Sequence, residues 1–133
     1  GTTSLRTLES LFWLGAKLIS QPGIFDHTLP VLTQWEPYET LSPPSKEATL
    51  RALLAYLDVQ NASQLIAKTQ IIIAPGYDFK MINGLVTNFH QPASTLLLLV
   101  AALVGNDWRK IYNYALENHF RFLSYGDGCL LWV

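Results

Sequence analysis

The sequence predicts an α/β fold, a mixed or mostly parallel sheet flanked by helices, on three observations. Apolar residues recur at helical spacing or form a helix-length apolar run, short β-rich or alternating runs lie among them, and turn residues punctuate the boundaries. Strands separated by helices have the crossover connections that parallel pairing requires.

Taken in order, Leu5, Leu8, Leu11, Phe12, Ala16 and Ile19 predict an amphipathic helix over 4–20, with Thr3 or Ser4 near its cap. Gln21-Pro-Gly23 ends it. Residues 24–44 read as irregular and are rich in Pro, Trp and Tyr. The face of Leu50, Leu53, Leu54 and Leu57 predicts a second helix over 46–58, and Asn61-Ala-Ser-Gln64 the start of a short third. Thr69-Gln-Ile-Ile-Ile-Ala74 predicts a buried strand, stopped by Pro75-Gly76. Gly84 to Asn88 is the next strand. Ser94 to Val104 is a helix broken by Gly105-Asn-Asp107, and 108–118 another. Phe120 to Ser124 alternates like a strand, and Leu130 to Val133 closes the list beyond the turn at Gly126-Asp-Gly128.

With 133 residues, half of them apolar and only 14% charged, the chain can bury one sizeable core. Net charge is −1 and the nine Lys and Arg residues are scattered, which argues against a nucleic-acid grip by this chain alone. Cys129 is the single cysteine, so no intramolecular disulfide forms, and a reduced cytoplasmic setting fits. His27, His90 and His119 lack metal-ligand spacing, so no metal is expected. The apolar run 96–104 is about half the ~20 residues of a membrane span and reads as a core helix. The opening Gly1-Thr-Thr-Ser-Leu-Arg-Thr-Leu-Glu9 resembles a strand-to-helix turn already under way, so a C-terminal piece of a longer protein is expected.

Four segments could carry chemistry. Gly1-Thr-Thr-Ser-Leu-Arg6 places hydroxyls and backbone N–H groups at a helix start, a seat for an anion to which Arg6 could add a bidentate contact. A Ser/Thr cap with a surface arginine explains the same residues. In Pro75-Gly-Tyr-Asp-Phe-Lys80, Tyr77 or Phe79 could stack on a base or simply fill a core edge. In Leu85-Val-Thr-Asn-Phe-His-Gln-Pro-Ala-Ser-Thr95, His90 titrates near neutrality and Asn88 can donate and accept, while Ser94 and Thr95 begin a helix. A structural histidine is the alternative. Ser124-Tyr-Gly-Asp127 offers a carboxylate and a phenol at a strand's end, or a tight turn.

Together and in this order, these segments resemble the S-adenosylmethionine:tRNA ribosyltransferase-isomerase family of queuosine biosynthesis. The match is carried by Gly1 to Ser10, Pro75 to Lys80, Gly84 to His90 with Pro92, Ser94 and Thr95, and Arg121 to Asp127. It covers most of the chain outside 24–68 and corresponds to the C-terminal portion of the family's larger two-domain fold. Residues 24–68 then form a divergent helical insertion. Asn83 and Gln91 depart from the acidic and apolar residues usual in the family, and Gly128-Cys129 replaces a typical Ala-Met pair.

The resemblance implies that the ribosyl part of S-adenosylmethionine, a consumed donor, moves onto 7-aminomethyl-7-deazaguanine at the tRNA wobble position. Isomerisation gives epoxyqueuosine, and adenine and methionine leave. His90 is then the proton-transfer residue, with Asn88 and Asp127 completing the catalytic set. Thr2, Thr3, Ser4 and Arg6 hold an anionic group, Tyr77 and Phe79 face a base, and Ser94, Thr95 and Tyr125 line the pocket. The implied partners are tRNA and the family's N-terminal domain, without which the chain is expected to be inactive. The alternatives are a non-catalytic module binding a nucleoside or S-adenosylmethionine, and a structural piece. The structural piece would support a neighbouring domain or self-associate through residues 24–60, with Trp13, Trp35 and Tyr38 exposed.

Overall fold

The computed structural model describes residues 1–132. Its elements, in order, are α1 (Thr2–Ser20), β1 (Val31–Leu32), α2 (Glu36–Glu39), α3 (Lys46–Val59), β2 (Lys68–Thr69), β3 (Gly84–Asn88), α4 (Thr95–Val104), α5 (Trp108–Glu117) and β4 (Gly128–Trp132). The architecture is mixed α/β. In place of one continuous sheet, the described residues carry two separate two-stranded sheets, β1 with β2 parallel and β3 with β4 antiparallel. Among the described residues no helix is long and apolar enough to cross a membrane. The chain divides into two compact units, one formed by Arg6–Ile71 and the other by Gly1–Leu5 with the chain from Ile72 onward.

In the Arg6–Ile71 unit, the central part of α1 is buried on all sides, from Phe12 through Ala16. Trp13, expected at the surface, is only 5% exposed and packs edge-on against Phe12, whereas Trp35 and Tyr38 are exposed. The packing is closest at Gly15, where an added Cβ would lie 2.3 Å from the Thr49 carbonyl oxygen. Only a glycine lets α3 approach α1 this closely. Ser45 caps α3 by accepting from the Ala48 N–H. Lys17 pairs with Glu36 and also donates to the Val31 carbonyl, which ties α1 to β1 and α2.

Two sequence expectations fail here for identifiable reasons. Asn61 was expected to open a helix, but it closes α3. Its φ is 49°, the Ala62 N–H reaches back to the Leu57 oxygen at 2.9 Å, and the Asn61 N–H to the Asp58 oxygen at 3.0 Å. That pair of bonds is the left-handed stop more often supplied by glycine. The expected strand 69–74 keeps ladder pairing only at Lys68–Thr69. Its partner ends at Leu32, whose oxygen accepts the last ladder bond from the Gln70 N–H, and the Thr33 N–H donates to the Glu36 carboxylate as the chain turns into α2. Ile71 and Ile73 are nonetheless buried.

In the other unit, β3 and β4 pair in the register Gly84↔Trp132, Val86↔Leu130 and Asn88↔Gly128. Leu85, Thr87 and Leu131 are buried, and α4 packs on β4 and α5. Ser94 caps α4, accepting from the Leu97 N–H. On the opposite face of the ladder, Val86, Leu130 and Trp132 are 66%, 58% and 69% exposed. The expected last strand is therefore present as Gly128–Trp132, while Val133 lies outside the described residues.

Phe120–Ser124 is not a strand. His119, at φ 59°, ends α5 by the same device as Asn61, with the Phe120 N–H on the Ala115 oxygen at 2.9 Å. The alternating aromatics arise from packing, since Phe89 meets both Phe120 and Phe122. Leu123 then turns the chain at φ 71°.

Replacing Gly15 with Ala should force α1 and α3 apart and cost about 1–3 kcal/mol. The measurement is a urea unfolding curve, and a midpoint equal to the parent's would mean that the two helices do not approach this closely.

Candidate functional site

A cavity of about 430 Å³ opens in the unit containing β3 and β4, lined by Gly1, Thr2, Thr3, Val86, Thr87, Asn88, His90, Leu96, Leu123, Ser124 and Gly128. Three of the four sequence segments meet here: the first turn of α1, the end of β3 with the loop after it, and the loop before β4. Each arrives for a local reason. The first turn of α1 brings Thr2 and Thr3 together with the positive end of the helix dipole. The antiparallel register sets Asn88 opposite Gly128, so the end of β3 and the start of β4 share one rim.

His90 is held at two points. Its backbone N–H donates to the Tyr112 hydroxyl at 3.0 Å, and its Nε2 lies 3.0 Å from Thr87 Oγ1. Which of those two atoms donates depends on the imidazole tautomer. Partial burial lowers the His90 pKa below its ordinary value, so the ring is neutral at pH 7 and able to accept a proton. Burial likewise pushes the Cys129 thiol up, and its Sγ contacts the Thr87 carbonyl oxygen at 3.5 Å. Cys129 is thus a protonated thiol at neutral pH rather than a thiolate nucleophile. The Tyr112 phenol is raised by burial, which outweighs the bond from His90, and further by Cys129. The Cys129 thiol and the Tyr112 phenol therefore stay uncharged at neutral pH.

The remaining expected site residues lie elsewhere. Arg6 belongs to the Arg6–Ile71 unit, where its guanidinium donates to the Ile71 carbonyl at 2.8 Å. Ser4 is exposed. Ser94 and Thr95 line a second hollow of about 380 Å³ with Pro75, Ala93, Leu97, Leu98, Ala101, Trp108 and Arg109. Tyr77 is buried edge-on against Phe79, with ring centroids 5.2 Å apart. That is the core-edge role its segment allowed. Tyr125 is 97% exposed. The Asp127 carboxylate accepts from the Arg121 backbone N–H at 2.7 Å and faces the Arg121 guanidinium at 3.4 Å, contacts that hold its pKa below the usual carboxylate value.

Thr87, Leu123 and Ser124 belong to the cavity but were not among the expected site residues. Thr87 had a readable signal, since it sits three residues before His90 on a strand. Ser124 had none beyond its place in the Ser124–Asp127 segment.

A family model described as queuosine biosynthesis protein matches residues 1–131. The chain belongs to this family. Among its relatives, the S-adenosylmethionine:tRNA ribosyltransferase-isomerase of Ruegeria pomeroyi is 59% identical over 64 residues, which is 47% of this chain and 18% of that protein. The protein of the same name from Paraburkholderia phytofirmans is 46% identical over 89 residues, 62% of this chain and 25% of that protein. The matched stretches thus cover a quarter or less of those relatives' length. A solved S-adenosylmethionine tRNA ribosyltransferase from Thermotoga maritima aligns at TM-score 0.48 and 32% identity, over 78% of this chain and 33% of that one.

The lowered His90 pKa makes stability depend on pH with a definite sign. The unfolded chain, with His90 near 6.5, takes up the proton before the folded one does. The His90 contribution is complete above that pH and is lost as the pH falls from there through the lower value of the folded chain. His90→Gln should therefore flatten the acid limb of stability between pH 7.5 and 5.5, read as urea midpoints. A limb as steep as the parent's would remove His90 as its source.

Proposed function

We propose that this chain is part of an S-adenosylmethionine:tRNA ribosyltransferase-isomerase. In this reading the enzyme transfers and isomerises the ribosyl group of S-adenosylmethionine onto 7-aminomethyl-7-deazaguanine in the tRNA wobble position, releasing adenine and methionine. The observation that carries it is the family match over residues 1–131, the stretch that supplies every side chain of the cavity around His90.

The chemistry asks for a base beside the ribose carbon that the sulfonium acidifies, and for compensation of charge as adenine and methionine leave. A neutral His90 suits the first task, with Thr87 at its Nε2 and Tyr112 holding its backbone. Thr2, Thr3 and the start of α1 suit an anionic group such as the methionine carboxylate. Asn88 contributes from the cavity wall.

The same reading makes the chain the C-terminal portion of a larger two-domain protein of the cytoplasm, with tRNA and the family's N-terminal domain as partners. Residues 24–68 are then a helical insertion carried on the Arg6–Ile71 unit. The exposed apolar face of Val86, Leu130 and Trp132 supports this, because a two-stranded ladder is marginal alone and such a face marks a covered surface. Further strands from the rest of the protein would extend it into the larger mixed sheet.

In the full-length protein, His90→Ala should slow adenine release from S-adenosylmethionine with precursor tRNA by about 10²–10⁴-fold. In the parent, the acid limb of kcat/KM should have its midpoint below the ordinary histidine value, the direction of the His90 shift. Turnover by His90→Ala close to the parent's would take His90 out of the mechanism.

A further inference from the structure

The loop that follows α5 is closed on itself before it reaches β4. The Arg121 backbone N–H donates to the Asp127 carboxylate at 2.7 Å, and the Asp127 N–H returns to the Arg121 carbonyl, also at 2.7 Å. These two bonds form a neck. Inside it, the Gly126 N–H donates to the Leu123 oxygen at 2.9 Å, and a Cβ on Gly126 would sit 2.2 Å from the Arg121 oxygen. Only glycine can occupy that place.

The closed loop is then fastened to the end of β3. Asn88 Nδ2 donates to the Gly126 carbonyl at 3.1 Å and approaches the Asp127 carbonyl at 3.4 Å, while the Leu123 N–H donates to the Phe89 carbonyl at 2.9 Å. Leu123 is held at φ 71°, a conformation costly for a branched side chain and sustained only where its surroundings over-determine it. The product of all these bonds is the presentation of Leu123 and Ser124 at the wall of the His90 cavity. Ser124 is exposed there, with a hydroxyl that can both donate and accept.

We propose that Ser124 is a substrate-contacting residue of this cavity, binding ribose hydroxyls of the sulfonium nucleoside, and that Asn88 and Asp127 are positioning residues that act through it. The inference rests on the functional reading above and goes beyond it. Asp127 has no part in proton transfer, because its carboxylate is occupied in closing the neck. Of its two contacts with Arg121, the backbone bond matters more. The guanidinium contact is long and solvent-exposed, and exposed ion pairs contribute little.

The Asp127→Asn variant separates positioning from proton transfer, since an amide oxygen still accepts from the Arg121 N–H but cannot carry a proton. In the full-length protein, Asp127→Asn should keep the shape of the parent's pH profile and stay within about threefold of its KM, whereas Asp127→Ala should raise KM by about three- to tenfold. Ser124→Ala should raise KM by a similar factor with kcat retained. The double variant Asp127→Ala with Ser124→Ala should cost little more than either alone, the signature of residues acting as one unit.

An Asp127→Asn variant as damaged as Asp127→Ala, or one lacking a limb of the pH profile, would overturn the proposal, as would effects that multiply in the double variant. If Asp127→Ala does not fold, Asp127→Asn and Ser124→Ala still decide the matter. If the parent binds S-adenosylmethionine without releasing adenine, the functional reading fails by itself, and calorimetric affinities of the same variants test Ser124. A parent with neither turnover nor affinity overturns both.

Discussion

The antiparallel register of Gly84–Asn88 with Gly128–Trp132 is the constraint on which the rest of the cavity depends. Because side chains alternate along a strand, this register turns Leu85 and Thr87 inward and sets Asn88 at the rim opposite Gly128. Thr87 then stands beside the His90 ring, and Asn88 reaches the carbonyls of the loop before β4. A slip of one residue would point Thr87 to solvent and move Asn88 away from its acceptors. Local chemistry near His90 is thus set by a pairing between segments far apart in sequence.

The polarity of that chemistry comes from restraint more than from charge. Burial keeps the His90 imidazole, the Cys129 thiol and the Tyr112 phenol uncharged at neutral pH. The Asp127 carboxylate, one residue before β4, is engaged with Arg121. The lining thus combines a neutral base, hydroxyls and, at the start of α1, the positive end of a helix dipole, which favours an anionic group.

The helices were legible because their signals are local. The 3.6-residue spacing marked α1 and α3, the apolar run from Leu96 to Val104 with Ser94 before it and Gly105 after it marked α4, and α5 also lies within a few residues of its expected bounds. The β3 boundaries matched because the run from Gly84 to Asn88 both alternates and finds a partner. Where pairing decided the outcome, reading failed. Residues 71–74 are apolar enough for a strand, but the ladder with β1 stops at the bond from Gln70 to Leu32. Phe120–Ser124 alternates because its aromatics surround Phe89. Asn61 and His119 take left-handed conformations that a sequence pattern assigns first to glycine. For the site, His90, Asn88, Thr2 and Thr3 were readable as polar residues at element ends and do line one cavity. Arg6, Tyr77 and Tyr125 were equally polar or aromatic in pattern, and only packing separates them from it.

The ladder also has a history in time. Forty positions separate Asn88 from Gly128, so β3 leaves the ribosome well before its partner β4 has been made. At about 5–20 residues per second the wait is on the order of seconds. Throughout that interval the β3 residues, Val86 among them, lack their partners on β4. A nascent chain of this design is most open to misassembly in the middle of its own synthesis, before β4 arrives to complete the ladder.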